Sequence, residues 1–250
     1  MTDPASVLVI RMAYGGYESS GLAQWLTSAA LYLHTHPGVK RFATESLNAS
    51  PVARARNVAV RTAQTWGADL LVLVDHDITP HKDWLPSVLG HFFKCRQRGI
   101  PAVWVAPAIC DDGKANVALW SQPPNIPFEY SGPLSLERLG ATEAARLRGF
   151  QEVAAAGCGA IAIDMNVFHR LTPPYFYLEY QDETETVLST GEDIAFTRDA
   201  AGQGIPVYCL WDCWARHQKE VVLEQPRTLH PHSIPSKLRE LWEEQVGVQS

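Results

Sequence analysis

The run Leu70-Leu71-Val72-Leu73-Val74, followed at once by Asp75-His76-Asp77, constrains the fold more than any other stretch of this 250-residue chain. Five apolar, mostly branched residues in succession read as a strand buried on both faces, the pattern of a central strand in an α/β sheet. Along an extended chain, residues i and i+2 point the same way. Asp75 and Asp77 are therefore predicted to project together from the carboxyl end of that strand, where open α/β sheets keep their ligand crevice. Two neighbouring carboxylates repel unless a cation lies between them. The simpler reading of the same residues is an acidic turn, with Asp77 capping the next helix.

The flanks support a sheet with helical crossovers. Residues 5–13 (ASVLVIRMA) read as a first strand, and Ser19–Leu33 as a helix with Leu22, Trp25, Leu26, Ala29 and Leu33 on one stripe. Val39–Ser46 is a second strand. Ser50 and Pro51 form a cap and first turn for a helix to Trp66 that carries Val52, Val58, Ala59 and Ala63. Lys82–Arg98 is a third helix and Pro101–Ala108 a further strand. This alternation is the signature of a right-handed parallel α/β unit. The regularity then stops: Asn116–Trp120 reads as a short strand, 121–133 as a Pro-rich loop long enough to be a functional flap, and Ser135–Arg148 as a helix. Phe150–Ile163 is strand interrupted by Gly157-Cys158-Gly159. Asp164 caps a short helix to Leu171, and Phe176–Gln181 is extended. After an acidic loop at 182–190, Gly191-Glu192-Asp193 opens a helix to Ala201. Pro206–Trp211 is a strand, His217 follows it, and 235–246 is a terminal helix.

Composition removes some function classes. With 46% apolar and 19% charged residues, the chain has enough for a sizeable core. A net charge of −6 gives no general attraction for nucleic acid or anionic membranes. Five Cys, an odd count without a C-x-x-C pair, read as free thiols in a reducing compartment. Met1-Thr2-Asp3-Pro4 does not begin a leader, and no run reaches 18 apolar residues, so the expectation is a cytoplasmic protein without a membrane span.

Four segments carry chemistry. Asp75 and Asp77 offer the two oxygen ligands that Mg²⁺ or Mn²⁺ commonly receives when the phosphates of a nucleotide complete its shell. Arg54 and Asn57, at i and i+3 near a helix N-terminus, share a face and suit a phosphate or a base edge; Arg56 between them reads equally well as solvated helix face. Gly157-Cys158-Gly159-Ala160 is either a β-bulge or a place where backbone passes close to a sugar. Glu192 and Asp193 at a helix start either serve the helix dipole or present a general base to the crevice.

In this order and at these spacings the segments resemble the GT-A glycosyltransferases, in particular the broad family 2-like group of nucleotide-sugar enzymes. The resemblance runs through Ala53-Arg54-Ala55-Arg56-Asn57, Gly67-Ala68-Asp69, Asp75-His76-Asp77, Gly157-Cys158-Gly159-Ala160, Gly191-Glu192-Asp193 and His217, over residues 5–217. It implies a GT-A-type α/β domain: a Rossmann-like, mostly parallel sheet flanked by helices, with a nucleotide-binding half at about 1–113, a mixed acceptor-side half at about 114–225 and a tail at 226–250. It also implies a metal-dependent transfer from a nucleoside-diphosphate sugar to an acceptor hydroxyl, with inversion. Asp75 would sit at the ribose or the metal, and Asp77 and His217 would bind Mn²⁺ or Mg²⁺. Arg54 and Asn57 would hold the nucleotide, Gly157 and Gly159 would line the donor sugar, and Asp193 or Glu192 would be the base. The first strand ends Met12-Ala13-Tyr14-Gly15-Gly16 rather than in the group's usual Pro-Thr-Tyr-Asn, leaving Tyr14 as the candidate to stack on the base. A sugar-phosphate nucleotidylyltransferase and a non-catalytic carbohydrate-binding protein are the rival readings. The acceptor (glycan, small molecule, protein or modified DNA base) is not encoded in any motif, although Trp120, Trp211 and Trp214 in polar surroundings would suit stacking on sugar or base faces.

Overall fold

A computed structural model describes residues 3–13, 19–110, 112–120, 136–180 and 188–218. The N-terminal part alternates as expected: β1 (Ala5–Met12), α1 (Ser20–Thr35), β2 (Val39–Leu47), α2 (Val52–Trp66), β3 (Leu70–Asp75), the two-residue β4 (Ile78–Thr79), α3 (Trp84–Gln97) and β5 (Val103–Val105). Then follow β6 (Lys114–Trp120), β7 (Leu136–Gly140), α4 (Ala141–Ala144), β8 (Phe150–Glu152), β9 (Ala155–Ala156) and β10 (Ala160–Asp164). A 3-10 turn at Met165–His169 leads to β11 (Glu179–Tyr180), β12 (Leu188–Thr190), α5 (Glu192–Gly202), β13 (Val207–Leu210) and β14 (Arg216–His217).

Seven strands form the central sheet in the order β2-β1-β3-β10-β5-β13-β8. β2, β1 and β3 are mutually parallel, β13 is parallel to β5, and β10 and β8 run against their neighbours. The sheet is thus mostly parallel with a mixed second half, the α/β architecture expected from the sequence. The two faces of β3 explain its unbroken apolar run. Leu71 and Leu73 pack with Ala59 and Val60 of α2 and Phe196 of α5. Leu70, Val72 and Val74 pack with Leu22 and Trp25 of α1 and Val88 of α3. Such alternation follows from the two-residue period of a strand.

Local signals set some helix ends. Ser19 Oγ accepts a hydrogen bond from Leu22 N at 3.1 Å and starts α1. Gly67, with φ of 71°, closes α2, and its N–H donates to the Gln64 carbonyl. Asp164 caps the 3-10 turn by accepting from Asn166 N at 2.9 Å.

Several expectations are corrected. The strand at 103–105 does not lie beside β3: β10 is inserted antiparallel between them. Ser50 gives α2 no cap, because Pro51 occupies the capping position without a side-chain bond, and Val58 is exposed rather than part of the packed stripe. Residues 136–140 form a strand, not a helix. They pair antiparallel with β6, and Arg138 donates to the Ala115 carbonyl at 3.1 Å, so pairing overrides helix propensity there. Trp211 lies in the core, not at a stacking surface. Asp77 caps no helix: the capping position of α3 is Asp83. No disulfide joins any of the cysteines among the described residues. Among the described residues no helix is long and apolar enough to cross a membrane. The expected flap at 121–133, most of the acidic loop and the terminal helix lie outside the described residues, as does Tyr14.

Candidate active site at the carboxyl end of β3

The turn Asp75-His76-Asp77 is fixed from several directions. Asp75 N donates to the Gly159 carbonyl at 2.8 Å, His76 N to the Met12 carbonyl at 3.1 Å, and Gln218 N to the Asp77 carbonyl at 2.7 Å. The last bond belongs with the short ladder between β14 and β4, in which His217 faces Ile78. Residues 140 positions apart in the chain are brought together by that ladder: His217 Nε2 lies 3.2 Å from Asp77 Oδ2.

The centre of the site is Arg56. It is 2% exposed. Its Nη2 donates to both oxygens of Asp75, at 2.9 and 3.2 Å, and its Nη1 to Glu192 Oε1 at 2.8 Å. One guanidinium therefore ties the end of β3 to the start of α5. Its Nε is buried without a hydrogen-bond partner. Asp193 follows Glu192 in the first turn of α5, half-buried, with Oδ1 accepting from Ile194 N at 2.8 Å.

The glycines complete the enclosure. A Cβ on Gly157 would stand 3.2 Å from Asp193 Oδ2, and one on Gly159 2.9 Å from the Ile78 side chain and 3.9 Å from Asp75 Oδ2. Backbone thus runs close to the Asp193 carboxylate at Gly157 and against Ile78 at Gly159, where a side chain would crowd the one and collide with the other. Between the glycines, Cys158 is fully buried, and burial drives its thiol well above the ordinary range, which disfavours the thiolate.

The site holds more negative than positive groups. Burial raises the Asp75 carboxyl above its usual range against the pull of Arg56, and Asp77 and Asp193 push it the same way. Burial likewise raises Glu192, opposed by Arg56 and reinforced by Asp193 and Asp75. For Arg56, burial works against the charge, but Asp75, Cys158, Glu192 and Asp193 outweigh it and hold the guanidinium more firmly protonated than usual.

The three expected metal ligands divide into two sets. Asp75 is engaged by Arg56, while Asp77 and His217 face each other; among the described residues no three His, Cys, Asp or Glu side chains close around a single metal position. The Asp77–His217 pair nevertheless has the chemistry of a cation site. His217 Nδ1 lies 3.1 Å from the Ile109 carbonyl, an acceptor, and so carries the proton. With a proton on Nδ1 alone, Nε2 presents its lone pair to the Asp77 carboxylate, and a shared cation would reconcile the two acceptors; with both nitrogens protonated, the same contact is a hydrogen-bonded ion pair. The other ring nitrogen of a metal-binding His commonly donates to a backbone carbonyl in this way. Adjacent ligands of an octahedral Mg²⁺ or Mn²⁺ stand about 3 Å apart, close to the 3.2 Å seen here.

The expected nucleotide contacts on α2 are arranged differently. Asn57 directs its whole carboxamide at the chain: Oδ1 accepts from Tyr175 N and Phe176 N at 3.0 and 3.2 Å, and Nδ2 donates to the Ala53 and Phe176 carbonyls at 2.9 and 2.6 Å. Arg54 is exposed and lines an open cavity with Asn57, Arg61 and Tyr175. Arg56 is the arginine that enters the site. The signal was present in its neighbours: Ala53, Ala59, Val60 and Ala63, at i−3, i+3, i+4 and i+7, form the buried stripe of α2, and Arg56 sits in the middle of it.

No protein-family profile matches the sequence. No curated protein matches it either. Among solved structures, GalNAc-T7 with UDP, GalNAc and Mn²⁺ aligns with a TM-score of 0.48 at 12% identity, over 99% of this chain and 55% of that one. A197 from STIV aligns with a TM-score of 0.55 at 14% identity, over 90% of this chain and 100% of that one, and the two share a fold.

Proposed function

We propose that the protein is a metal-dependent glycosyltransferase that moves a sugar from a nucleoside-diphosphate donor to an acceptor hydroxyl. The observation that carries this reading is the gathering of Asp75, Asp77, Glu192 and Asp193 around one buried guanidinium and one imidazole, at the crevice end of the sheet. That surplus of carboxylate asks for a cation, and a departing diphosphate asks for the same cation from its other side.

Asp77 and His217 are the residues that would hold Mn²⁺ or Mg²⁺. When bound, the ion supplies positive charge beside the leaving diphosphate. Arg56 fixes the carboxylates of Asp75 and Glu192, so Asp75 offers a positioned acceptor for the donor's ribose. Glu192, tied to Arg56, is a counter-ion rather than a base. Asp193 is the general base that takes the proton of the attacking hydroxyl. The bare backbone at Gly157 and Gly159, packed close to Asp193 and Ile78, would line the donor sugar. Attack in line with the leaving diphosphate inverts the anomeric centre.

The test is incubation with Mn²⁺ and a panel of nucleotide sugars, reading released nucleoside diphosphate. Release that is lost in Asp193→Asn supports the reading. Release of pyrophosphate instead would assign nucleotidyl transfer, and neither product from any donor would reject catalysis.

A further inference from the structure

A second groove lies on the outward face of α2. Arg54, Val58 and Arg61 fall at i, i+4 and i+7 and so form one stripe along that helix. With Pro173, Pro174 and Tyr175 opposite, they line a cavity of about 760 Å³. The same Pro173, Pro174 and Tyr175 form a wall of a neighbouring cavity of about 540 Å³, which Arg170 also lines. Arg54, Arg61 and Arg170 are exposed. None of the three makes a side-chain ion pair or hydrogen bond among the described residues. Three guanidinium groups without a hydrogen-bonded carboxylate among the described residues flank one ridge of a chain whose net charge is −6, with Asp199 lining the cavity on the Arg170 side.

The ridge between them is apolar and held in place. Tyr175 N donates to Asn57 Oδ1 at 3.0 Å, and the Tyr175 ring packs on Phe168 with centroids 4.7 Å apart. Val58, 39% exposed, presents a further apolar surface between the two helix arginines. Arg54 and Arg61 are separated by seven residues, about 10 Å along a helix. A ligand that carries anionic groups at intervals, with flat apolar parts between them to meet tyrosine and proline, matches that spacing. Arg rather than Lys at all three positions suits bidentate phosphate contact.

We propose that this groove and the neighbouring cavity bind a single-stranded polynucleotide across the ridge, with phosphates on Arg54 and Arg61 on one side and on Arg170 on the other, and a base against Tyr175. The pairing of cationic side chains with an aromatic platform is how single strands are commonly held without sequence reading. This site is separate from the carboxylate crevice, and its test does not depend on sugar transfer.

The experiment is fluorescence anisotropy of a labelled 15-nucleotide single strand with the full chain, at salt concentrations from 50 to 200 mM. Three phosphate contacts predict a log–log salt slope near −2, about a twenty-fold loss of affinity over that range. Arg54→Ala with Arg61→Ala should weaken binding at least tenfold at 50 mM and flatten the slope to about −0.7. Arg170→Ala alone should give an intermediate slope. Tyr175→Ala should lose about fivefold or more, and Tyr175→Phe should retain wild-type affinity. No binding at 50 mM, binding indifferent to the arginine variants, or equal binding of inorganic polyphosphate would overturn the proposal. Self-association abolished by the same double variant, with no oligonucleotide bound, would give the groove to a second copy and overturn it too.

Discussion

Two buried arginines tie α5 to the rest of the protein, and their surroundings differ in a way that separates the proposed site from a latch. Arg56 and Arg198 are 2% and 5% exposed, and each bridges two carboxylates. Arg198 grips Glu179 with both terminal nitrogens, at 2.6 and 2.7 Å, and donates to Asp199 Oδ1 at 2.9 Å. There the hydrogen bond from Arg198 outweighs burial and holds the Glu179 carboxyl below its usual range. Around Arg56 the balance is reversed: burial wins at both Asp75 and Glu192, because Asp77 and Asp193 add charge that one guanidinium cannot neutralise. Around Arg198 two partly exposed carboxylates share one guanidinium, whereas around Arg56 four carboxylates crowd a guanidinium at the crevice, a surplus that would favour a cation there.

The largest effect that would sharpen this contrast is on turnover. Asp193→Asn should lower the sugar-transfer rate by about 10²–10⁴-fold with nucleotide affinity retained, whereas Asp199→Asn beside Arg198 should leave the rate near wild type; initial rates on a competent donor compare the two. Next comes stability. Arg56→Met strands Asp75 and Glu192, whose side chains are 19% and 10% exposed, and should cost about 3–5 kcal/mol in urea unfolding. Arg198→Met should cost less, about 1–3 kcal/mol, because Glu179 and Asp199, at 25% and 35%, can rehydrate. Equal losses would erase the distinction.

Smaller again is the response to metal. Mn²⁺ at a hundred times its dissociation constant should stabilise the protein by about 2.7 kcal/mol; a thermal-shift titration should show this in wild type and Arg198→Met and not in Asp77→Ala. Subtlest is pH. Glu192 has a raised folded pKa, so the folded state binds the extra proton, and this contribution to stability is greatest at low pH and declines as pH rises through the raised value. Glu179 has a lowered one, so its contribution is present above the ordinary carboxylate range and lost as pH falls through the lowered value. Unfolding curves at a series of pH values should therefore lose opposite limbs in Glu192→Gln and Glu179→Gln.

The sequence spoke most clearly where the physics is local. Strand β3 and its terminal aspartates, the Ser19 cap of α1, the Gly67 stop of α2 and the acidic start of α5 each follow from a few adjacent residues. Arg54 and Asn57 were the attractive pair on α2 because they share a face near its start, yet the buried face belongs to Arg56, and only the apolar residues three and four positions away reveal that. The meeting of His217 with Asp77 depends on a two-residue ladder between β14 and β4, too short to leave a periodic pattern. Leu136–Gly140 reads as helix by composition and becomes strand because β6 offers it a partner. Such pairings depend on which segments meet, which the order of residues along the chain does not state.

The placement of β10 between β3 and β5 has a consequence for how the molecule is assembled on the ribosome. Until residues 160–164 emerge, β3 and β5 each lack a neighbour, and the newly made N-terminal segment carries two open strand edges of the kind that recruit other chains. Closing that gap is a late event, and the same insertion seats Gly159 against Asp75. Arrival of this strand therefore joins β3 to β5 and brings one wall of the crevice to Asp75, while α5, β13 and His217 are added later, and a chain stopped short of it should be prone to aggregate.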